Sequence, residues 1–347
     1  MTKRLGLTRA QILAFRRHVG ALDERLPAGA ESLRTAAWAG LTDSMPRAAL
    51  LSIHARVGGT EPSTWEDPSL VQLWGPRFSA YVVAASDVAP FTLGRLDEPG
   101  PARRKADDIA ARMAAVLGGR RMRDRDVAAE LGIGNAIRYA APTGTILMRW
   151  DGARAPEIRV VPRPEVDPQE ARLELARRYL RVFGPSAPAQ FAKWAGIGAA
   201  SGAAAFEGLG GELTPVTTPI GDALILATDE EMFRAKPGPA ARTRLLPSGD
   251  TYFLLWGVDR ELLVTDADHR ARLWTSRVWP GALLVDGEIA GTWRRANEKL
   301  SIQPWRRLTP AEVKAVETEA ASLPLPGVQG RIVVRWEDPD ASATRQA

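Results

Sequence analysis

The 347-residue chain contains no cysteine. Disulfides, thiolate metal sites and a cysteine nucleophile are therefore excluded, and the composition fits a reducing cytoplasm. Histidine is nearly as scarce, with only His18, His54 and His269, far apart in sequence. A zinc or iron site is not expected, and no other cofactor is expected. No apolar run approaches the ~18 residues of a membrane-spanning helix. The amino-terminal MTKRLGLTRAQ is basic but lacks an apolar core, so it does not read as a secretory signal. Walker A, Gly-x-Ser-x-Gly and His-Glu-x-x-His motifs are all missing. The glycines of GIGAASG (196–202) read instead as a helix junction, and a hydrolase or transferase on a small molecule has little support.

What is present is ordinary for a globular protein: 45% hydrophobic and 25% charged residues. The length exceeds one ordinary core and predicts two or more domains. The net charge is +5, and lysine stands only at 3, 105, 193, 236, 299 and 314, so the basic residues are nearly all arginine. Arginine suits bidentate phosphate contacts and base-edge reading. Alanine, glycine and proline are abundant too, as GC-rich coding gives, so clustering decides more than the total.

In chain order, Thr8-Arg9-Ala10-Gln11 reads as a capping box opening a helix over 7–20, with Ile12, Phe15, Val19 and Leu22 on its apolar face. A second helix is predicted over Ala30–Ala39. A third runs from Ser44 to Val57, with Asp43 or Ser44 able to cap it, Pro46 in its first turn, and Leu50, Ile53 and Val57 as its stripe. Strand-like SAYVVAA (79–85) completes a winged-helix order. Trp65 and Trp74 between them are either loop plugs or base stackers, and plugs are the commoner case.

The second unit is the clearest. Ile109, Met113, Val116 and Leu117 define one helix. MRDRDVAAELGIG gives another, with Asp124 as its cap and Gly132 as its stop, and two strand-like runs flank Asp151-Gly152. From Arg103 to Arg125 there are eight basic and three acidic residues, a local net charge equal to that of the whole chain. Such clustering beside a helix-turn-helix marks a phosphate-binding surface, against the plainer reading of a solvated charged face. A third helix–helix–hairpin set follows the proline-rich PRPEVDP. From about Arg242 the chain turns β-like, with DTYFLLWGV, ARLWTSRVW, GALLVDGEIAGTWRR and SIQPWRRL as strand candidates and Asp286-Gly287 as a type I′ turn. Thr309-Pro310-Ala311-Glu312 then opens a helix, GRIVVRWED offers a last strand, and the tail DASATRQA is expected to fray. The expectation is an α+β chain of three tandem winged-helix units, at 1–100, 101–164 and 165–240, followed by a small β-barrel-like domain over 241–340.

The stretch AWAGLTDSMPRAALLSIHARV (37–57), its continuation through Leu96, ELARRYLRVFGPSAPAQFAKWAGI and LVDGEIAGTWRR together resemble the AlkZ-like winged-helix family over residues 7–325. Characterised members of that family are bacterial DNA glycosylases that excise alkylated or crosslinked purines. The resemblance implies a channel lined by the winged-helix units, with the loop after Gly40-Leu41 pointing into it. Active members carry Gln-x-Gln or Gln-x-Asp there; this chain carries Thr42-Asp43-Ser44, with a carboxylate at a usually apolar middle position.

By analogy, Asp43 could stabilise the sugar cation while Thr42 and Ser44 hold a water. Equally, Asp43 could be only a cap, turned away from the channel. The expected DNA contacts are Arg47, His54, Arg56, Arg120, Arg121, Arg123, Arg125, Arg149 and Arg154, and the expected partner is double-stranded DNA bound by a cytoplasmic monomer. A competent loop would make the protein a monofunctional DNA N-glycosylase; an incompetent one leaves a catalytically inactive DNA-binding regulator.

Overall fold

The computed structural model describes residues 4–152, 154–328 and 330–338; the tail 340–347, expected to fray, lies outside them. A short strand β1 (Leu5–Gly6) leads into α1 (Arg9–Val19), where the Thr8–Gln11 capping box is present in both directions. Next come α2 (Ala30–Ala36) and β2 (Leu41–Thr42). Then α3 (Ala48–Arg56) starts at Ala48, not in the Ser44–Pro46 segment, because residues before it form a turn ending with Arg47 at φ 64°. Strands β3 (Leu70–Trp74) and β4 (Ala80–Ala84) pair antiparallel, β2 adds to β4, and α4 (Val88–Phe91) closes this part.

The order α5 (Pro101–Leu117), β5 (Met122–Arg123), α6 (Asp124–Leu131), β6 (Ile146–Arg149) and β7 (Glu157–Val160) matches the sequence pattern. Gly132 stops α6 at φ 67°, while Arg123 takes the cap position expected of Asp124. β6 pairs with β7 and also with β3 through Gln72 and Met148. Strands on both sides of residue 100 therefore form one six-stranded sheet, β2-β4-β3-β6-β7-β5.

The third set is α7 (Pro168–Phe183), α8 (Pro188–Ala195), α9 (Ala199–Leu209), β8 (Leu213–Thr218), β9 (Gly221–Leu226) and α10 (Glu230–Arg234). β1 lies parallel to β8, so the start of the chain completes this hairpin's sheet. The aromatic side chains of Tyr179, Phe183, Phe191, Trp194 and Phe206 pack in one cluster that continues into Phe253, Trp274 and Leu284. A shared core of this kind binds the helical part to the last part of the chain.

That last part holds β10 (Thr243–Leu246), α11 (Asp259–Leu263), α12 (Ala267–Leu273), β11 (Gly281–Val285), β12 (Glu288–Ala296), β13 (Lys299–Pro304), α13 (Pro310–Ala321) and β14 (Val333–Trp336). The expected barrel does not close. The strands form an open sheet, β10-β11-β12-β13-β14, because β14 joins β13 in parallel and does not meet β10. Val316 and Ala320 of α13 pack with Leu245, Leu283 and Ile302 of the sheet. A helix laid on an apolar face does what closure would otherwise do. DTYFLLWGV and ARLWTSRVW are also not strands. Asp250 accepts the Tyr252 N–H and Asp266 the His269 N–H, and these local caps outweigh the β preference of the aromatic residues. Asp286 at φ 48° and Gly287 at φ 83° make the predicted type I′ turn. Among the described residues no helix is long and apolar enough to cross a membrane.

Among the described residues six arginines are buried: Arg16, Arg17, Arg56, Arg95, Arg172 and Arg178. Arg56, 2% exposed, forms a two-pronged pair with Asp250 at 2.7 Å on each arm and donates further to the Ser52 carbonyl and the Thr251 hydroxyl. Arg178 pairs with buried Asp87 at 2.7 Å and lies over Trp38. Arg95 donates to the Ala195 and Trp74 carbonyls, and burial pushes its pKa down to about 10. Each staple joins segments distant in sequence. Removing one member of a buried pair strands the other charge, at a cost of about 3–5 kcal/mol. Arg56→Ala should therefore lower stability by that amount in urea unfolding. A loss under about 1 kcal/mol would mean that Asp250 finds another partner or water.

Candidate DNA-facing cleft and basic surface

The Thr42-Asp43-Ser44 loop runs from the end of β2 into the turn before α3. Its three side chains go to three places. Thr42 donates its hydroxyl to the Gly249 carbonyl at 2.8 Å. Gly249 sits at φ 74°, and a Cβ there would lie 2.7 Å from the Thr42 hydroxyl, so only glycine fits the approach. Asp43 is 2% exposed. One carboxylate oxygen accepts the Ala49 N–H of α3 at 3.1 Å; the other accepts from Gln72 Nε2 at 2.6 Å. Gln72 in turn accepts the Trp150 N–H at 2.7 Å. The helix N-terminus that could have drawn an external anion is thus occupied by this carboxylate. Ser44 alone is exposed.

Ser44 faces a cleft of about 430 Å³ between the first part of the chain and the last. Its walls include Met45 from the loop, Arg77 and Tyr81 from the β3–β4 hairpin, Gly249 and Trp256, and Arg277–Trp279. Thr42 lines the cleft with its hydroxyl already donated, and Asp43 is not in the wall. The direct contact between Asp43 and a sugar cation is corrected accordingly: the carboxylate is a cap and a link to Gln72. Arg77, Trp256, Arg277 and Trp279 were not legible as site residues. The one local signal was Gly75-Pro76 before Arg77, where the hairpin turns with Arg77 at φ 56°.

The expected DNA contacts divide sharply. Arg120, Arg121, Arg123, Arg125, Arg149 and Arg154 are all exposed on the second set of elements. Arg121, Arg149 and Arg159 line one shallow hollow over the six-stranded sheet. Arg56 and His54 are withdrawn from that set. Arg56 is consumed by Asp250. His54 is buried with its ring nitrogens against Thr60 and Ser322, and burial with Arg25 and Arg244 nearby pushes its pKa down to about 4. Buried, and with both ring nitrogens already engaged, this imidazole presents no free group to a phosphate.

Arg47 is half-buried, and its guanidinium is already engaged. It donates to the Trp150 and Asp151 carbonyls at 3.1 and 2.9 Å and lies 3.4 Å from the Trp65 ring centre. Arg149 stacks on the other face of Trp65 at 3.7 Å. Trp65 is therefore sandwiched between guanidiniums, while Trp74 is a buried plug.

The loop after Gly40-Leu41 thus lies beside an open cleft and near a hairpin with exposed arginines, in an α+β chain of helices and β-hairpins. The family model for AlkZ-like DNA glycosylases matches residues 36–324, and the chain belongs to that family. An interstrand DNA cross-link repair glycosylase of Streptomyces sahachiroi is 28% identical over 206 residues, 58% of this chain and 52% of that protein. The match thus spans about half the length of that relative. The solved Streptomyces sahachiroi DNA glycosylase AlkZ has the same fold, with a TM-score of 0.77 and 21% identity over 96% of this chain and 100% of that one.

The Asp43 cap has a pH signature. Burial pushes its pKa from near 3.8 up to about 6, although the bonds from Ala49 and Gln72 pull it down. A carboxyl that holds its proton more tightly when folded gives stability that is full below its unfolded value and is lost as pH rises through about 6. The stability gap between wild type and Asp43→Ala should therefore be widest near pH 4 and smaller at pH 7. At pH 7 the variant should still be weaker by roughly 1–2 kcal/mol, since two donors lose their acceptor. Urea unfolding at both pH values checks this; a gap that widens with pH would show a carboxylate favoured in its charged form.

Proposed function

We propose that the protein is a duplex-DNA-binding repair factor that engages alkylated or crosslinked purines at the Ser44 cleft and excises them slowly. In this reading the three helix–hairpin sets act as winged-helix units at 1–100, 101–164 and 165–240, with 241–340 as the closing wall. Phosphates are held by Arg120, Arg121, Arg123, Arg125, Arg149 and Arg154. The site of action is DNA in the cytoplasm. The single observation that carries the reading is the position of the loop: an exposed serine after Gly40-Leu41 opening into a cationic, tryptophan-lined cleft, in a chain of this family.

The same loop argues for slow excision. Breaking a glycosidic bond leaves a positively charged sugar and needs a held water. Two side-chain amides can do both jobs. Here Thr42 is bonded to Gly249, Asp43 is turned inward, and one serine hydroxyl remains. That favours lesion binding over turnover.

Two measurements test the reading. Duplex affinity should fall steeply with salt, and replacing Arg121, Arg123 and Arg125 by Ala should flatten the slope by about 0.9 per lost phosphate contact. An unchanged slope would place the DNA face elsewhere. On duplex containing 7-methylguanine, base release should be slow, should fall further in Ser44→Ala, and should rise when Ser44 is replaced by Gln. Fast release that ignores Ser44 would refute its role; absence of release beside tight binding to one undamaged sequence would point to a regulator.

A further inference from the structure

Two large apolar side chains stand out into solvent beside the Ser44 cleft: Met45, 39% exposed, and Val278, 48% exposed. They come from opposite ends of the chain, yet both line the Ser44 cleft and a neighbouring cleft of about 320 Å³. They therefore share the ridge that divides the two. Trp279 and Ser248 line both clefts as well.

Both tips are rigidly mounted. Met45 is followed by Pro46, which Gly152 of the β6–β7 loop approaches so closely that a Cβ there would lie 2.6 Å from the proline ring. Asp43 and Arg47 anchor the same turn on either side. The Val278 carbonyl accepts from Thr275 at 3.0 Å and from Arg294 at 3.2 Å. The surroundings are cationic. Arg77, Arg277, Arg294 and Arg295 are exposed on the walls, and among the described residues no Asp or Glu lines either cleft. An apolar ridge ringed by arginine suits a polyanion with an apolar interior, which is the chemistry of stacked bases between phosphate rails.

The geometry points to Met45 and Val278 as a wedge that enters a base step of the duplex and unstacks it next to the lesion held at Ser44. This rests on the DNA-binding reading above and adds a mechanical step to it. The phosphate arginines hold the duplex, and the ridge opens the stack.

The test uses the full-length chain and a duplex carrying 2-aminopurine next to a central abasic site, read at saturating protein so that affinity does not enter. Wild type should raise 2-aminopurine fluorescence several-fold. Met45→Ala with Val278→Ala should lose most of that rise, Met45→Leu with Val278→Ile should keep it, and Val258→Ala, an exposed valine elsewhere, should keep it in full. Saturable binding with no rise in wild type, or a full rise in the double alanine variant, overturns the wedge alone. No binding to any duplex overturns the wedge together with the DNA-binding reading.

Discussion

The buried pair between Arg56 and Asp250 sets the geometry on which the cleft depends. Asp250 follows Gly249, whose carbonyl receives the Thr42 hydroxyl, and Arg56 is the last residue of the helix that Asp43 caps. Ser52 adds a 2.6 Å bond to the same carboxylate. One ion pair therefore fixes α3 against the start of the open sheet, and through it both walls of the cleft. Two desolvated charges are costly unless their remaining atoms are bonded, and here they are, by Ser52, Thr251 and the Tyr252 N–H. Geometry this specific gives one docking arrangement of the two parts.

A second set of contacts reaches the loop from the β6–β7 hairpin. Gln72 bridges Asp43 to Trp150, Arg47 holds the Trp150 and Asp151 carbonyls, and Trp65 lies between Arg47 and Arg149. The hairpin that carries the exposed arginines is thus tied to the cleft through polar bonds and stacked planes. Displacement of the hairpin would be felt at Asp43, so the hairpin and the loop form one mechanical unit.

The legible features of the sequence were those with local causes. The Thr8 and Thr309 capping boxes, the Gly132 stop and the Asp286-Gly287 turn are short-range chemistry, and each is present. What could not be read was set by distant partners. Arg56 looked like surface arginine because its partner lies 194 residues away. The open sheet looked like a barrel because strand patterns do not reveal that α13 covers one face. The cleft's tryptophans come from segments whose aspartate caps bend them away from strand. Local propensity also misplaced the start of α3, where the residue before the helix takes a left-handed conformation to reach Trp65 and the hairpin.

The division of labour within Thr42-Asp43-Ser44 follows from these constraints. A threonine at the first position is short enough to bond the Gly249 carbonyl, and so it closes the seam between the two walls. An aspartate at the second position is drawn inward by the free N–H groups of α3 and by Gln72. A residue flanked by two such anchors has little freedom, and the third position is left to face the cleft. The loop has become a joint with one exposed hydroxyl. Chemistry that needs a cation stabiliser and a positioned water together is poorly served by such a joint, whereas recognition is well served by it. With two of its three side chains already bonded, the loop needs little of the side-chain ordering that long flexible amides require when they engage a ligand.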